Sequence, residues 1–318
     1  LVETSPDIVH LHGLDRIGSE VVAFVRTHRP AARIVLTLHD FQLICARDGL
    51  MVAGDGSLCH RASPDTCRRC LPDLPVARHA LREAHLKAAL AGVDLFIAPS
   101  RFLKERFVSW GLPEDRITVV PNGVAAAAPA VPPERGDRFA FFGNIADHKG
   151  VHVLLDAAAR LSRDRSEVSV TLHGGFTWAA EAERERFAAA LDRAAPVVQY
   201  LGPYDRADLP RLMAHADWVV VPSTWWENAP LVGLEAFRAG RPVICSGIGG
   251  MAELVEDGVT GLHVPPGDAA ALAEALTRAA DTDLCRRLAA AIRPPADLDE
   301  MTEAHLGLYR QLLQEVPA

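Results

Sequence analysis

Hydrophobic positions along the chain fall in short, almost unbroken runs, separated by longer stretches whose apolar residues recur at helical spacing. The runs cover residues 7–12, 33–39, 94–100, 117–121, 138–143, 168–174, 197–202, 217–223, 241–246 and 261–265. A strand that is apolar on both faces belongs to a parallel sheet covered by helices on each side. Residues 151–161, 178–193 and 231–239 carry helical patterns between these runs. Alternation on this scale predicts βαβ units with right-handed crossovers, hence an α/β fold of parallel, Rossmann-like sheets.

One stretch breaks the alternation. Residues 125–137, AAAAPAVPPERGD, are rich in Ala and Pro and have no period, which predicts a linker. It separates a partial Rossmann-like domain over 1–124, with about four strands, from a domain over 138–296 with six. A final amphipathic helix over 297–314, in a closing segment 297–318, is expected to pack back toward the first domain. The first strand begins at residue 7, behind a stretch with neither an initiating Met nor a leader pattern. The expectation is a first domain lacking its natural N-terminus.

Composition narrows the class. With 318 residues and 49% hydrophobic content, the chain can bury two substantial cores. The apolar run over 124–133 is too short and too broken by proline to span a bilayer. Residues 1–124 carry 15 Lys and Arg against 14 Asp and Glu, and the remainder 18 against 27, for a net charge of −8. Neither part has the basic surplus of a nucleic-acid binder.

In open parallel sheets ligands bind beyond the carboxyl ends of the strands, so the strand-end residues are the candidates for chemistry. They include His12, His39–Asp40, Gly143–Lys149 and the segment PSTWWENAPLVGLEAFRAGRPVI over 222–244. Pro230 marks a helix start there, so Glu227 precedes the helix and Glu235 lies inside it. The N–H groups of Leu231 and Val232, with the helix dipole, make an anion site flanked by two carboxylates. A phosphate with hydroxyls on either side describes a nucleotide sugar. In FFGNIADHKG, over 141–150, a strand ends at Gly143, a turn beginning with Asn144 follows, and Lys149 is expected to open the next helix, bringing a charge for phosphate. Gly249 and Gly250 sit in a Gly-rich strand-to-helix turn that by itself signals little.

The loop over 40–73 is unusually long. It holds Cys45, Cys59, Cys67 and Cys70, and the last two have the spacing of a metal knuckle, with His60 as a fifth candidate ligand. A structural zinc ion, an iron–sulfur cluster and four free thiols all fit that pattern. Cys245 and Cys285 read as buried thiols. Arg68–Arg69 and the helix over 74–91 read as solvated surface, with a peripheral membrane contact as the alternative.

Taken in order, VHLHG (9–13), APSRF (98–102), VVPNGV (119–124), FFGNIADHKGVHVLL (141–155), YLGPYDRADLPRLMAHADWVVVPS (200–223), the E-x7-E pair Glu227/Glu235 and GGMAELVEDGVTGLHVPPGD (249–268) resemble the retaining glycosyltransferases of family 4. The resemblance implies the GT-B fold, two Rossmann-like domains whose sheets face a central cleft. It implies a nucleoside-diphosphate sugar donor, such as a UDP- or GDP-sugar. Glu235 would hold the donor ribose, Glu227 the transferred sugar, Lys149 and the Leu231 and Val232 amides the diphosphate, and His12 would lie near the sugar. Gly143, Asn144, Gly249 and Gly250 would line the donor site. The family often has Arg directly after the strand-ending glycine, where this chain has Asn144.

The resemblance further implies a polysaccharide, lipid-linked or small-molecule acceptor, no catalytic metal, and a cytoplasmic place at the inner face of the membrane. Transfer with retention would proceed by front-face attack, the departing phosphate taking the acceptor's proton, because no glycosidase-like carboxylate pair is evident. Two other readings stay open: a sugar-nucleotide epimerase on the same fold, and a non-catalytic nucleotide-sugar-binding fragment.

Overall fold

The computed structural model describes residues 4–15, 17–125, 132–163, 168–177 and 181–314. Two parallel sheets organise it, and the chain divides into two units, Leu1–Gly123 with Leu298–Ala318, and Val124–Asp297. Residues 126–131 of the 125–137 linker, and the first three residues of the helix expected over 178–193, lie outside the described residues.

The first unit runs β1 (Ile8–His12), α1 (Glu20–His28), β2 (Arg33–Thr37), α2 (Pro64–Cys70), α3 (Val76–Leu90), β3 (Leu95–Ala98), α4 (Arg101–Trp110) and β4 (Ile117–Val119). Its strands lie in sequence order, all parallel. The stretch between β2 and α3 is anchored by apolar side chains, with Phe41, Ile44 and Met51 all buried. Arginines fasten it as well: Arg82 donates to the carbonyls of Gln42 and Leu43, and Arg47 to those of Val52 and Ala53. Ordinary packing and backbone hydrogen bonds therefore hold the long loop.

The second unit continues with β5 (Arg138–Phe142), α5 (Val151–Arg163), β6 (Ser169–His173), α6 (Glu181–Ala194), β7 (Val198–Gly202), α7 (Leu209–Ala214), β8 (Trp218–Val221), α8 (Leu231–Arg238), β9 (Val243–Ser246), α9 (Gly249–Leu254), β10 (Gly261–Val264), α10 (Ala269–Ala279) and α11 (Thr282–Ala291). Asp268 and Asp281 cap the last two helices, accepting from free N–H groups of the first turn. The sheet order is β10-β9-β8-β5-β6-β7, so the chain reverses direction across the sheet between β5 and β8. Alternate residues of β5 explain the burial on both faces. Phe139 and Phe141 pack with Leu154, Leu172 and Trp218 on one side, while Ala140 and Phe142 pack with Met213, Val219 and Phe237 on the other.

The closing helix, α12 (Leu298–Gln314), belongs to the first unit. Its Met301, Leu308, Tyr309 and Leu312 cover Val35 and Ile97 of the first sheet. No helix among the described residues is long and apolar enough to cross a membrane.

Candidate functional site

The reversal between β5 and β8 opens a crevice at the carboxyl ends of those two strands, where doubly wound sheets bind ligands. The loop after β5 carries Lys149 and the loop after β8 carries Glu227. Lys149 does not open a helix. It closes a 3₁₀ turn, Asp147–Lys149, and Gly150 follows in the left-handed region at φ 70° before α5 begins. A Cβ at Gly150 would stand 1.9 Å from the Pro222 carbonyl oxygen, so only glycine lets the two loops touch. Thr224 N–H donates to the His148 carbonyl at 2.9 Å and joins them.

Within this junction Lys149 Nζ donates to Glu227 Oε1 at 2.7 Å. Ser223 Oγ and Trp225 Nε1 donate to the same oxygen, each at 2.8 Å. Those three bonds converge on Oε1 and leave Oε2 to accept from a ligand. Glu227 is buried, which raises its carboxyl, but the Lys149 charge and the three donors outweigh burial and hold it below the usual range. The Lys149 ammonium also lies 4.9 Å above the Trp225 ring, a cation–π contact that fixes it further.

A cavity of about 440 Å³ adjoins the carboxyl ends of β5, β6 and β7. Gly143, Asn144, Tyr204, Arg206, Leu231 and Glu235 are among the residues lining it. Asn144 Oδ1 accepts from Thr177 Oγ1 at 3.2 Å. Glu235 Oε1 accepts from Arg206 at 2.8 Å, and burial raises its carboxyl despite that partner. Leu231 brings the first turn of α8 to this cavity, whereas the Val232 side chain packs into the core. Gly249 begins α9, and Gly250 plays a different part from that expected. Its N–H donates to the Glu227 carbonyl at 2.6 Å, and a Cβ there would lie 1.8 Å from the Asn228 carbonyl oxygen. Gly250 thus supports the Glu227 loop from behind.

In the first unit, His12 Nδ1 and His39 Nε2 stand 3.1 Å apart at the ends of neighbouring strands. His12 stacks on His10 with ring centroids 4.2 Å apart. His10 in turn meets Tyr309 Oη through Nδ1 at 2.5 Å and Thr37 Oγ1 through Nε2 at 2.7 Å. Burial and the neighbouring imidazoles push His10 down to about 4, and burial lowers His12 and His39. A cavity of about 220 Å³ lined by Gly13, Asp15, His39, Asp40 and Arg82 lies beside them.

The four thiols of the cysteine loop lie near enough to one another to interact electrostatically. Cys45, Cys59, Cys67 and Cys70 are half-buried and form no disulfide. Among the described residues no group of three or more His, Cys, Asp or Glu side chains is gathered closely enough to hold a metal ion. Burial, helped by the neighbouring thiols, raises Cys59 and Cys67.

Ser223, Trp225 and Tyr204 stand in strand-end stretches that the ligand rule selects, and Arg206 is the site residue it misses. The first two lie inside the segment already singled out, two residues or more before the helix. Arg206 carries no local signal, since its partner is 29 residues away.

Two family models match the chain, "Glycosyltransferase Family 4" over residues 1–127 and "Glycosyl transferases group 1" over 136–282. Among curated relatives, a glycogen synthase of Mycobacterium tuberculosis is 34% identical over 198 residues, 59% of this chain and 46% of the relative. A D-inositol 3-phosphate glycosyltransferase of Mycobacterium sp. (strain KMS) is 32% identical over 267 residues, 81% of this chain and 55% of the relative. The chain therefore spans about half the length of these curated relatives. Among solved structures, Anabaena Alr3699/HepE in complex with UDP and glucose superimposes with a TM-score of 0.69 at 22% identity, covering 97% of this chain and 78% of that one. Sucrose-phosphate synthase from Thermosynechococcus elongatus gives 0.73 at 23% identity, covering 98% and 74%. Both likenesses concern the fold, which is that of the GT-B glycosyltransferases.

Proposed function

The chain belongs to the family 4 glycosyltransferases, and from that premise we propose that it transfers a sugar from a nucleoside-diphosphate sugar to a hydroxyl acceptor with retention at the anomeric carbon. The observation that carries this reading is the switch-point junction. There a lysine and a buried carboxylate from the loops after β5 and β8 meet, and the neighbouring cavity bears Glu235 and the first turn of α8. A diphosphate at the start of α8 gains the helix dipole and the Lys149 charge. Ribose hydroxyls donate to Glu235, and hydroxyls of the transferred sugar donate to Glu227 Oε2.

In the step itself the bond between the anomeric carbon and the β-phosphate oxygen breaks. The acceptor oxygen bonds to that carbon from the same face, and its proton passes to the departing phosphate. What the protein contributes is charge stabilisation of the leaving diphosphate, aimed before reaction. We assign His12 of the first unit to the sugar end of the substrate and that unit to the acceptor. A glycan or lipid-linked acceptor would set the reaction in the cytoplasm, at the inner face of the membrane.

The test begins with binding. Calorimetric titration of UDP, GDP and ADP should give saturable binding of one nucleotide to the wild type and loss of that binding in Glu235→Ala. A Glu235→Ala chain that binds like the wild type would remove the donor-site assignment. With the matching nucleotide sugar, proton NMR of the product should show the donor's anomeric configuration kept.

A further inference from the structure

Glu235 stands on the wall shared by two cavities. One is the cavity of about 440 Å³ described above. The other, about 370 Å³ and mostly apolar, is lined by residues including Val124, Leu209, Met213, Arg238 and Ala239. Arg206 and Glu235 border both.

The carboxylate therefore has two directions open to it, and each holds a cation. On the second side is Arg238, three residues further along α8. It donates to the Pro295 carbonyl at 2.7 Å, while its Nε is buried with no hydrogen-bond partner. A buried N–H without an acceptor is costly, so this group draws any carboxylate able to reach it. On the first side is Arg206, from the 3₁₀ turn after β7, whose bond at 2.8 Å holds Glu235 Oε1.

We propose that Arg206 is a positioning residue for the nucleotide: it fixes Glu235 toward the strand-end cavity, with Oε2 offered to the ribose diol, and away from the unpaired Nε of Arg238. The inference rests on the donor-site reading above and adds to it the residue that sets the aim. The Arg206 side chain is 72% exposed while that of Glu235 is 18% exposed, so the arginine meets the carboxylate from the solvent side and can be replaced without opening the core. Arg206 contributes charge as well as direction. The titratable neighbours that face Glu235 from other elements are Tyr204 and Arg206, both in the connection after β7, and Arg238 lies on its own helix. Without Arg206, burial acts on the carboxyl with less opposition and its pKa rises further.

The experiment titrates UDP, with GDP and ADP in parallel, against the wild type, Arg206→Ala, Arg206→Lys, Glu235→Ala, and the double variants Arg206→Ala/Glu235→Ala and Arg206→Ala/Arg238→Met. Arg206→Ala should weaken binding of the preferred nucleotide about tenfold at pH 7, and by a larger factor relative to the wild type at pH 5, where the wild type also loses affinity because burial raises Glu235. Arg206→Lys should recover most of the affinity. Arg206→Ala should add no loss in the Glu235→Ala background, and Arg238→Met should restore affinity to Arg206→Ala. Arg206 is exposed, so its removal should leave the fold intact, and equal thermal midpoints check this. If Glu235→Ala loses binding while Arg206→Ala binds as the wild type does at both pH values, the positioning role is overturned and the donor site stands. If Arg206→Ala weakens binding equally with and without Glu235, Arg206 touches the nucleotide itself and the inference is again overturned. If Glu235→Ala binds normally, the donor-site reading fails first.

Discussion

Lys149 and Glu227 are 78 residues apart in the chain and 2.7 Å apart in the fold. The sheet order brings them together, because β5 and β8 are neighbours at the point where the chain reverses. Gly150 then lets the two loops approach. Neither side chain stands alone: the lysine keeps a buried carboxylate charged, and the carboxylate fixes the lysine at the strand ends.

This coupling predicts unequal effects for the two substitutions. Lys149→Ala leaves a buried carboxylate whose charge is unpaired, and should destabilise the second unit by about 3 kcal/mol as well as lowering transfer about a hundredfold or more. Glu227→Gln keeps an oxygen for Ser223 and Trp225, so it should cost less stability while removing a comparable part of the turnover. Denaturant titration alongside the transfer assay checks both. Equal stability of Lys149→Ala and the wild type would mean that the pair is not coupled in solution.

Much of this was legible before the fold was known, though not evenly. All ten strands among the described residues lie inside the apolar runs, because burial on both faces leaves an unbroken signature that polar loops punctuate. The placement of Glu227 before α8 and Glu235 within it followed from Pro230 alone. Lys149 was placed in a helix because an amphipathic pattern does not reveal a left-handed glycine just before it. The Arg206–Glu235 bond is tertiary, with no spacing to betray it. Cys67 and Cys70 have a ligand-like spacing whatever holds the loop, and the buried Phe41 and Met51 that anchor it look like any other apolar residue in a sequence.

Gly250→Ala offers a test in which the sign is informative. Alanine is favoured over glycine inside a helix by about 1 kcal/mol, so a spacious site would be stabilised. Here the added carbon would meet the Asn228 carbonyl oxygen at 1.8 Å, and the Gly250 N–H bond to Glu227 would stretch. The expected outcome is a loss of about 2 kcal/mol, with nucleotide-sugar turnover falling further than nucleotide binding, since Glu227 moves and Glu235 does not. A stabilised variant would contradict the close approach.

Asp217 lies at the other end of the same pair of strands and sets an acid limit for the second unit. Its carboxylate is fully enclosed and accepts from the backbone N–H and guanidinium of Arg138. Burial pushes its pKa up, but the Arg138 bonds and charge, with a backbone N–H from Gly136, bring it from 3.8 down to about 2. A carboxyl depressed by folding stabilises fully above its unfolded pKa, and that stability disappears as the pH falls from about 4 toward 2. The contribution is about 2 kcal/mol by linkage. The stability difference between wild type and Asp217→Asn, measured by urea titration, should therefore shrink steadily over that window. A difference unchanged from pH 5 to pH 2 would show that the charge contributes nothing.

The first unit meets its limit at a higher pH, through His10. Both of its ring nitrogens contact hydroxyls, on Tyr309 and Thr37, and a hydroxyl can accept from an imidazolium as readily as it donates to an imidazole. Hydrogen bonding therefore does not keep His10 neutral. Burial does so first, and then His12, His305 and His39, each of which opposes a second positive charge nearby; together they lower the pKa from 6.5 to about 4. The sign follows: above pH 6.5 both the folded and the unfolded chain hold a neutral imidazole. Between 6.5 and about 4 only the unfolded chain takes up the proton, so stability drains away as the pH falls. Proton NMR should find one imidazole that titrates near pH 4 and is missing from His10→Gln. The first unit of that variant should lose less stability between pH 6.5 and 4 than the wild type does. If every imidazole of the wild type titrates near 6.5, the histidine stack is not packed in solution as it is in this fold, and the placement of α12 against β1 through Tyr309 falls with it.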